Sequence, residues 1–278
     1  MPIHYTAIMP HGFNLISEIY PDMGEDWERL SQAMIKSSLE ICNIDPDVIV
    51  IASPHNLRIV EHIGIITSEW CEGTLWNDDK SKNITVTSVC DRSFGSAIYM
   101  KAKENNLPVV AVNYGAASGE YSTHKMDWGT IIPLWFIQEA YKANNKSPPL
   151  IVLVTPSREI PWENLVQFGE AISQVSDEYE KEVVFIASAD HAHAHDEEGP
   201  YGYDLSAKEF DGFMTEWIRE NKLDNLEGLS KDFIESAKPD SVWQMLILLG
   251  IIRSKDLKNK DCVYECPSYY GMIVASFQ

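Results

Sequence analysis

Short apolar segments of strand length alternate along the chain with longer segments in which apolar residues recur every three or four positions. The strand-like segments are rich in Val and Ile and span residues 48–52, 64–67, 84–89, 109–113, 150–155, 183–188 and 272–277. The helix-like segments span residues 27–42, 93–106, 130–144, 162–180 and 208–221. This alternation predicts an α/β fold with a largely parallel or mixed central sheet that is flanked by helices.

The chain shows no boundary between domains. No stretch rich in Gly, Ser or Pro is long enough to be a linker, and no internal repeat is visible, so we expect residues 1–278 to form a single catalytic domain. Pro108 and Pro149 each stand directly before a predicted strand and end the helix that precedes it. We expect an irregular loop over residues 189–205 and a largely helical last third that returns to a final strand.

Composition narrows the choice of partners. The formal net charge of −20 is spread along the chain, which argues against nucleic acid and against an anionic membrane. A small anionic substrate is still compatible, since a few local cations could dominate the field inside a cleft: Arg58, Arg92, Lys125 and Arg158. No apolar run reaches the length of a membrane span, the N-terminus does not resemble a signal peptide, and the five cysteines form no Cys-x-x-Cys pair. We therefore expect a cytoplasmic protein with reduced thiols, and a homo-oligomer is a common state for such enzymes.

Three histidines lie where apolar segments end, which makes a metal-centred active site the leading interpretation. His11 follows residues 5–9, His55 follows residues 48–51, and His193 comes after the strand-like segment 183–188. Side chains just past the carboxyl ends of different strands converge in one crevice of an open α/β sheet, and imidazole is the commonest metal ligand among side chains. Alone, His11 is equally typical of a surface turn, whereas the segment before His55 predicts a buried central strand.

The segment 190–196 concentrates further histidines in the pattern Asp-His-Ala-His-Ala-His-Asp. In an extended chain His191, His193 and His195 would share one face, as suits joint binding of a metal ion such as zinc. A solvent-exposed His-rich loop is the other interpretation, but the segment continues a strand that the pattern predicts to be buried. An aromatic-bearing turn that contains Tyr201 follows it.

A facial set of two histidines and one carboxylate would leave coordination positions open for substrate and dioxygen. Asp240 stands at the start of the predicted helix 242–249, although an aspartate there is also a normal helix cap. Glu235 and Asp190 are the alternative carboxylates. Asp127 is placed to cap the helix 130–141, and Trp128 is more typical of a pocket wall or the core than of a catalytic group.

Together these motifs resemble the class III extradiol ring-cleavage dioxygenases, the family that contains the catalytic subunit of protocatechuate 4,5-dioxygenase. The resemblance runs over most of the chain and rests on the order and spacing of its motifs: Pro10-His11-Gly12, Ser53-Pro54-His55, Asp127-Trp128-Gly129-Thr130 with Pro133-Leu134, Ser188-Ala189-Asp190 with His193, Gly199-Pro200-Tyr201-Gly202 with Phe210-Asp211, and Leu248-Leu249-Gly250.

The resemblance implies that His11 and His55 hold a non-haem Fe(II) and that His193 is the acid and base of the reaction. Asp240 stands near the position of the family's glutamate ligand. Many members have Asp-His-Gly where this chain has Asp127-Trp128-Gly129, so a supporting histidine is absent unless His124 replaces it. The implied reaction opens a small catechol-type or aminophenol-type ring with O2. The residues expected to support the site or contact the substrate are His124, Asp127, Trp128, His191, His195 and Tyr201.

Two alternatives belong to other functional classes. A zinc hydrolase would use the cluster of His191, His193 and His195 as its principal ligands, and metal analysis would distinguish it from an iron oxygenase. A non-catalytic interaction protein, as described for the Memo proteins that share the fold, would bind no catechol even with metal present.

Overall fold

The computed structural model describes residues 3–21 and 24–278. The strands of this part are β1 Tyr5–Met9, β2 Val48–Ala52, β3 Ile63–Ile66, β4 Trp70–Trp76, β5 Asn83–Val89, β6 Val109–Val112, β7 Thr123–Lys125, β8 Leu150–Thr155, β9 Val183–Ser188, β10 Asn259–Glu265 and β11 Met272–Phe277. The α-helices are α1 Glu25–Ile44, α2 Arg92–Glu104, α3 Trp128–Ala143, α4 Trp162–Glu178, α5 Leu205–Arg219, α6 Lys231–Ala237 and α7 Val242–Lys255. Two short 3-10 helices cover Phe13–Leu15 and Leu223–Gly228.

Eight strands form one mixed sheet in the order β10-β11-β1-β9-β2-β8-β3-β6. The four central strands β1, β9, β2 and β8 are parallel to one another. Strand β3 pairs antiparallel with β8 and parallel with β6, while β11 pairs antiparallel with both β1 and β10. The prediction of an α/β fold around a mixed sheet is therefore confirmed.

The central strands are apolar along their whole length because helices cover both faces of the sheet. Alternate residues of one strand enter different cores: Val50 packs with α2, α4 and α7 on one face, and its neighbour Ile49 packs with α1 and α3 on the other. Strand β9 is likewise buried at all six positions. This double covering fixes the register of the strands and hence the positions of the residues that follow them.

A second sheet of three strands, in the order β5-β4-β7, packs beside α3. The segment predicted as a strand at 84–89 belongs to this small sheet. The pattern did not predict β4, β7 or β10, and residues 5–9, noted only as an apolar segment before His11, form the strand β1. Strand β7 has only three residues, and β10 carries charged side chains at an edge of the large sheet, so neither has the apolar run that marks a central strand. No helix among the described residues is long and apolar enough to cross a membrane.

Helices α4 and α7 cross in close contact because each has a glycine at the crossing. A Cβ atom on Gly250 would lie 2.0 Å from the carbonyl oxygen of Val166, and one on Gly169 would lie 2.0 Å from that of Ile247. Both clashes would involve backbone oxygens, which cannot move away as the flexible end of a side chain can. The crossing therefore fixes where α7 begins, next to Asp240.

Candidate metal centre

The residues of the site follow the carboxyl ends of the parallel strands, which meet at one edge of the sheet. His11 lies two residues after β1, His55 three residues after β2, and Asp190 two residues after β9. Asp240 reaches the same place from the segment that leads into α7. The structure thus brings together residues from four segments that are far apart in the sequence.

His11, His55 and Asp240 point one ligand atom each at a common centre. The Nε2 atoms of the two histidines are 3.0 Å apart, and Oδ2 of Asp240 lies 3.0 Å from Nε2 of His55 and 3.4 Å from Nε2 of His11. Ligands at about 2.1 Å on one face of an octahedral ion are about 3.0 Å from one another. His11 and Asp240 are buried and His55 is nearly so. The spacing and the two-nitrogen, one-oxygen donor set therefore fit a divalent transition metal.

A proline in α3 fixes which nitrogen of His11 faces this centre. Pro133 has no N–H, so the carbonyl of Gly129, four residues earlier, lacks its helical donor. The hydroxyl of Ser188 donates to this carbonyl instead. With its only proton committed, Ser188 Oγ must accept from His11 Nδ1, which lies 2.9 Å away. In the neutral ring the proton therefore stays on Nδ1, and Nε2 is the nitrogen that a metal ion would bind in place of a second proton.

Asp240 is held as a ligand rather than as a helix cap. Its Oδ1 accepts the backbone N–H of Asp190 at 3.1 Å, and the N-cap residue of α7 is Ser241, without a side-chain capping bond. Asp190 in turn accepts the backbone N–H of His11 at 2.9 Å, and its other oxygen lies 3.4 Å from His11 Nε2. The alternative carboxylate Glu235 lies outside the cluster, with an 87% exposed side chain that pairs with Lys238.

The electrostatics of the cluster reflect close packing of opposite charges. Burial acts to lower the pKa of His11, but the carboxylates of Asp190 and Asp240 outweigh it and raise that pKa to about 9. Burial acts to raise the pKa of Asp240, but the charge and hydrogen bonds of His11 and His55 hold it well below its ordinary range. Burial raises the pKa of Asp190. The buried carboxylate of Asp240 therefore favours a cation beside it, either the protonated His11 or a metal ion in place of that proton.

The three alternate histidines of the segment 190–196 do not share a face, so the His-x-His-x-His zinc cluster is absent. The N–H groups of His191 and His195 donate to Gly271 and Tyr269, but that of His193 donates to Ala237 on another segment, because the chain twists between them. His191 is fully buried, neither ring nitrogen has a partner, and burial lowers its pKa to about 4. Among the described residues, the group with metal-binding geometry is His11, His55 and Asp240.

His193 presents one free nitrogen. Its Nδ1 lies 2.7 Å from the carbonyl oxygen of His191, which can only accept, so Nδ1 carries the proton and Nε2 is left as a base. The ring stacks on Tyr270 at 5.3 Å between centroids and meets Tyr201 edge-on at 5.6 Å. This aromatic frame restricts the imidazole to one orientation.

Asp211 anchors the segment that carries His193. Its Oδ1 accepts the N–H of Ala192 at 2.9 Å, while its Oδ2 lies 2.8 Å from His195 Nε2 and accepts from the hydroxyl of Tyr264 at 2.9 Å. Burial acts to lower the pKa of His195, but Asp211 outweighs it and raises that pKa to about 9. His195 and Asp211 therefore help to fix the position of the segment that carries His193.

A second polar network supports His55 from the side of α3. Asp127 caps α3 through the N–H of Thr130 and accepts from Ser53 and from Asn56 Nδ2, the latter at 2.7 Å. The ring of His124 reaches this network only through Asn56, at 2.7 Å. Trp128 stacks on the ring of His55 at 4.3 Å between centroids. His124 thus lies outside the centre, whereas Trp128 forms one of its walls.

Two cavities are lined by residues of the segment 54–58, and one of them borders the cluster at His55. The larger, of about 590 Å³, lies against His55 and Trp128 and is lined mainly by apolar groups, with Lys125 among its residues. The smaller, of about 180 Å³, lies between Pro54 and the start of α7. The larger cavity therefore reaches the metal centre at His55.

Sequence reasoning did not assign a role to Ser188, Asp211 or Tyr270. Ser188 carried one usable signal, because it is a polar residue at the end of a buried apolar strand. Asp211 occurs in a motif of the resemblance, yet nothing in the sequence connects it with His195. Tyr270 follows another tyrosine in a short loop before β11, where no periodic pattern marks a function.

Comparison with known proteins identifies the family. A protein of Clostridium acetobutylicum, CA_C1420, is 25% identical over 262 residues, which are 92% of this chain but 54% of that protein, so the chain spans about half the length of that relative. The crystal structure of the uncharacterized protein JW3007 from Escherichia coli K12 shares the fold, with a TM-score of 0.59 at 14% identity over 99% of this chain and 100% of that one. The family model of the catalytic LigB subunit of aromatic ring-opening dioxygenase matches residues 5–275. The chain therefore belongs to the LigB family of aromatic ring-opening dioxygenases.

Proposed function

We propose that the protein is a metal-dependent dioxygenase that opens a catechol-type or aminophenol-type ring beside its two hydroxyl or amino groups. One observation carries the proposal: in a chain of the LigB family, two imidazole nitrogens and one carboxylate oxygen lie 3.0 to 3.4 Å from one another at the carboxyl edge of the sheet. The three donors come from one side, so the opposite side is left for reactants.

His11, His55 and Asp240 would hold the ion, for which Fe(II) is our first choice and Zn(II) the alternative. A redox-active divalent ion held by these residues would supply the electron transfer that a reaction between a diol and dioxygen needs. Zinc has no redox chemistry, so it would not support this reaction. The buried carboxylates around the site compensate the positive charge.

His193 would act as the acid and base. Because Nδ1 is committed to the carbonyl of His191, Nε2 is free to take a phenolic proton and later return it, a task for which histidine is commonly used. Its charge is close enough to influence both Asp190 and Asp240. Tyr270 and Tyr201 hold the ring in place while it exchanges the proton.

The overall reaction balances without a further reductant. One molecule of O2 is consumed for each diol, and the carbon–carbon bond beside one hydroxyl-bearing carbon breaks. One oxygen atom completes a carboxylate and the other becomes an aldehyde oxygen, so the product is the sum of the two reactants. The ring supplies the four electrons that reduce dioxygen.

The test begins with protein purified without oxygen and loaded separately with Fe(II) or Zn(II). Oxygen uptake and the absorbance of yellow products are followed with catechol, protocatechuate, gallate and 2-aminophenol. We expect turnover with iron alone, at one O2 per diol. A protein that holds iron yet binds none of these compounds would refute the dioxygenase and favour an interaction protein.

Two variants separate the roles of the histidines. His193→Ala should keep its iron and lose about 10²- to 10⁴-fold in turnover, the usual contribution of a positioned acid or base. His4→Gln is the matched control, because His4 precedes β1 at the opposite edge of the sheet and faces solvent beside Glu182. Loss of iron from His193→Ala would show that His193 is a ligand instead.

A further inference from the structure

The three residues of the metal centre are held in different ways. His11 Nδ1 lies 2.9 Å from the hydroxyl of Ser188, and Asp240 Oδ1 accepts the backbone N–H of Asp190 at 3.1 Å. His55 points Nε2 at the centre, but no residue that the structure describes forms a hydrogen bond with its Nδ1. A metal-binding histidine usually donates this second N–H to a carboxylate, a carbonyl or a water. The orientation of His55 therefore depends on other contacts.

The ring of His55 lies on the indole of Trp128. Their centroids are 4.3 Å apart and their planes meet at 27°, while the ring of His11 meets that of His55 edge-on, at 4.8 Å and 88°. Rotation of a stacked imidazole about its Cβ–Cγ bond would turn its edge into the indole. The stack therefore opposes the movement that would carry Nε2 away from the centre, as the hydrogen bond of Ser188 does for His11.

The segment that carries His55 is tied to the start of α3, where Trp128 is the first residue. The N-cap residue Asp127 accepts hydrogen bonds from the hydroxyl of Ser53 and from Nδ2 of Asn56, the latter at 2.7 Å. Ser53 and Asn56 stand on either side of His55 in the sequence. These bonds hold the two segments together and so oppose separation of the indole from the imidazole.

Gly129 allows the two segments to approach closely. A Cβ atom there would lie 3.5 Å from Cδ2 of His55 and only 2.5 Å from the hydroxyl of the residue two positions before it, so a larger residue would push the segments apart. The ring of Phe13, two residues after His11, has its centroid 6.2 Å from that of Trp128. Trp128 therefore contacts the segments that carry both histidine ligands.

Burial does not explain the position of Trp128. It is 37% exposed, and it lines the larger cavity together with His55. An aromatic residue that only filled the core would be covered on all sides, as Phe168 in α4 is. The position of the indole is better explained by its contact with the metal ligand.

We propose that Trp128 is a positioning residue for the metal ligand His55, whose Nε2 it holds toward the ion by stacking instead of by a hydrogen bond to Nδ1. This inference rests on the metal-binding part of the function proposed above and is independent of the reaction. Since no carboxylate of the described residues bonds to Nδ1, the imidazole lacks the added basicity of a carboxylate–histidine pair. The hold of His55 on the ion should accordingly depend on how well its ring is oriented.

The experiment uses Co(II) as the probe, because this ion binds to nitrogen and oxygen ligands and shifts the NMR signals of the protons near it. The affinity of the protein for Co(II) is measured without oxygen by competition with a chromophoric chelator. Trp128→Ala should bind Co(II) about 3- to 10-fold more weakly than wild type, which is the usual contribution of one aromatic pair. Trp128→Phe keeps a stacking ring and should bind within about twofold of wild type.

Proton NMR of the Co(II)-loaded protein shows which ligand has moved. The ring signals of His11 are recognised by its Nδ1–H, which should exchange slowly with water because it is buried and bonded to Ser188. Trp128→Ala should shift or broaden the ring signals of His55 and leave those of His11 unchanged. A general loosening of the fold would disturb both sets of signals.

Trp76→Ala is the matched control. Trp76 is a tryptophan of similar exposure, 48%, at the end of β4, where it pairs with Asn83 of β5 in the small sheet. Its replacement should change neither the affinity for Co(II) nor the ring signals of the two histidines. Thermal unfolding of the metal-free variants should show that the fold is retained, as expected when a partly exposed side chain is replaced.

The outcomes separate this inference from the proposed reaction. Equal Co(II) affinity in Trp128→Ala and wild type, with the His55 signals unchanged, would refute the role of Trp128 and leave the metal centre in place. Equal losses in Trp128→Ala and Trp128→Phe would also refute it, because stacking would then not be the cause. Failure of the wild type to bind Co(II) would overturn both the inference and the proposed function. If the expected effects on Co(II) are found but the iron-loaded protein opens no ring, the proposed reaction fails and the role of Trp128 stands.

Discussion

Replacing Ser188 with alanine tests the link between the helix defect at Pro133 and the metal centre. In the wild type, the Ser188 hydroxyl donates to Gly129 O and accepts from His11 Nδ1. Without it, His11 loses the acceptor that holds its proton on Nδ1, and Nε2 is no longer guaranteed as the free ligand atom. Removal of such a supporting hydrogen bond to a metal-binding histidine costs about 10- to 100-fold in metal affinity.

The same substitution also has a stability cost that follows from burial. His11 is 2% exposed, so its Nδ1–H finds no water to replace Ser188. A buried donor without a partner costs about 1–3 kcal/mol, and the Gly129 carbonyl is left without its donor at the same time. We therefore expect Ser188→Ala to lower the free energy of unfolding of the metal-free protein by about 2–3 kcal/mol.

Ser173→Ala is the matched control. Ser173 is a buried serine in α4 whose hydroxyl has no hydrogen-bond partner, so its loss should change neither stability nor metal affinity appreciably. Metal affinity is measured by competition with a chromophoric chelator, and stability by urea unfolding. A metal affinity of Ser188→Ala within about twofold of wild type would be too small a loss for a supporting hydrogen bond. That result would show that Ser188 does not fix the protonation of His11.

Two further predictions concern stability. Gly250→Ala should destabilise the protein by about 3 kcal/mol, because its Cβ would lie 2.0 Å from the backbone oxygen of Val166. Gly212 is the control: it lies on α5 with open space around it, so Gly212→Ala should stabilise the protein by up to about 1 kcal/mol. Equal urea midpoints for the two variants would contradict this account of the helix crossing. The pKa of His195 is raised to about 9, so its contribution is fully present below its unfolded pKa of about 6.5 and is lost as the pH rises through about 9. The free energy of unfolding of the metal-free protein should therefore fall between pH 6.5 and about 9, and His195 should contribute no more than about 3 kcal/mol of that fall. Asp211→Asn should remove the contribution of His195 and so reduce the dependence of the unfolding free energy on pH. An unchanged pH dependence in that variant would refute the assignment to the pair of His195 and Asp211.

The architecture could be predicted from sequence because its signals are local. A continuous apolar strand such as β9 is buried whatever surrounds it, and the residues after parallel strands must meet at one edge, which places His11 and His55 together. The function of Ser188 depends on Pro133, which is distant in sequence, so no local pattern reveals it. The prediction that His191, His193 and His195 share one face is wrong, because period-two spacing indicates a shared face only in an extended chain.

The two ends of the chain contribute to the same cluster, His11 from just after the first strand and Asp240 from just before the last helix. An ion that joins them would act as a cross-link that closes almost the whole chain into a loop. Such closure removes the most conformational freedom from the denatured ensemble, so the ion should stabilise the entire fold rather than one corner of it. A fragment that lacks either terminal region would have no centre to bind, and removal of the ion should lower the stability of the whole fold rather than loosen one region.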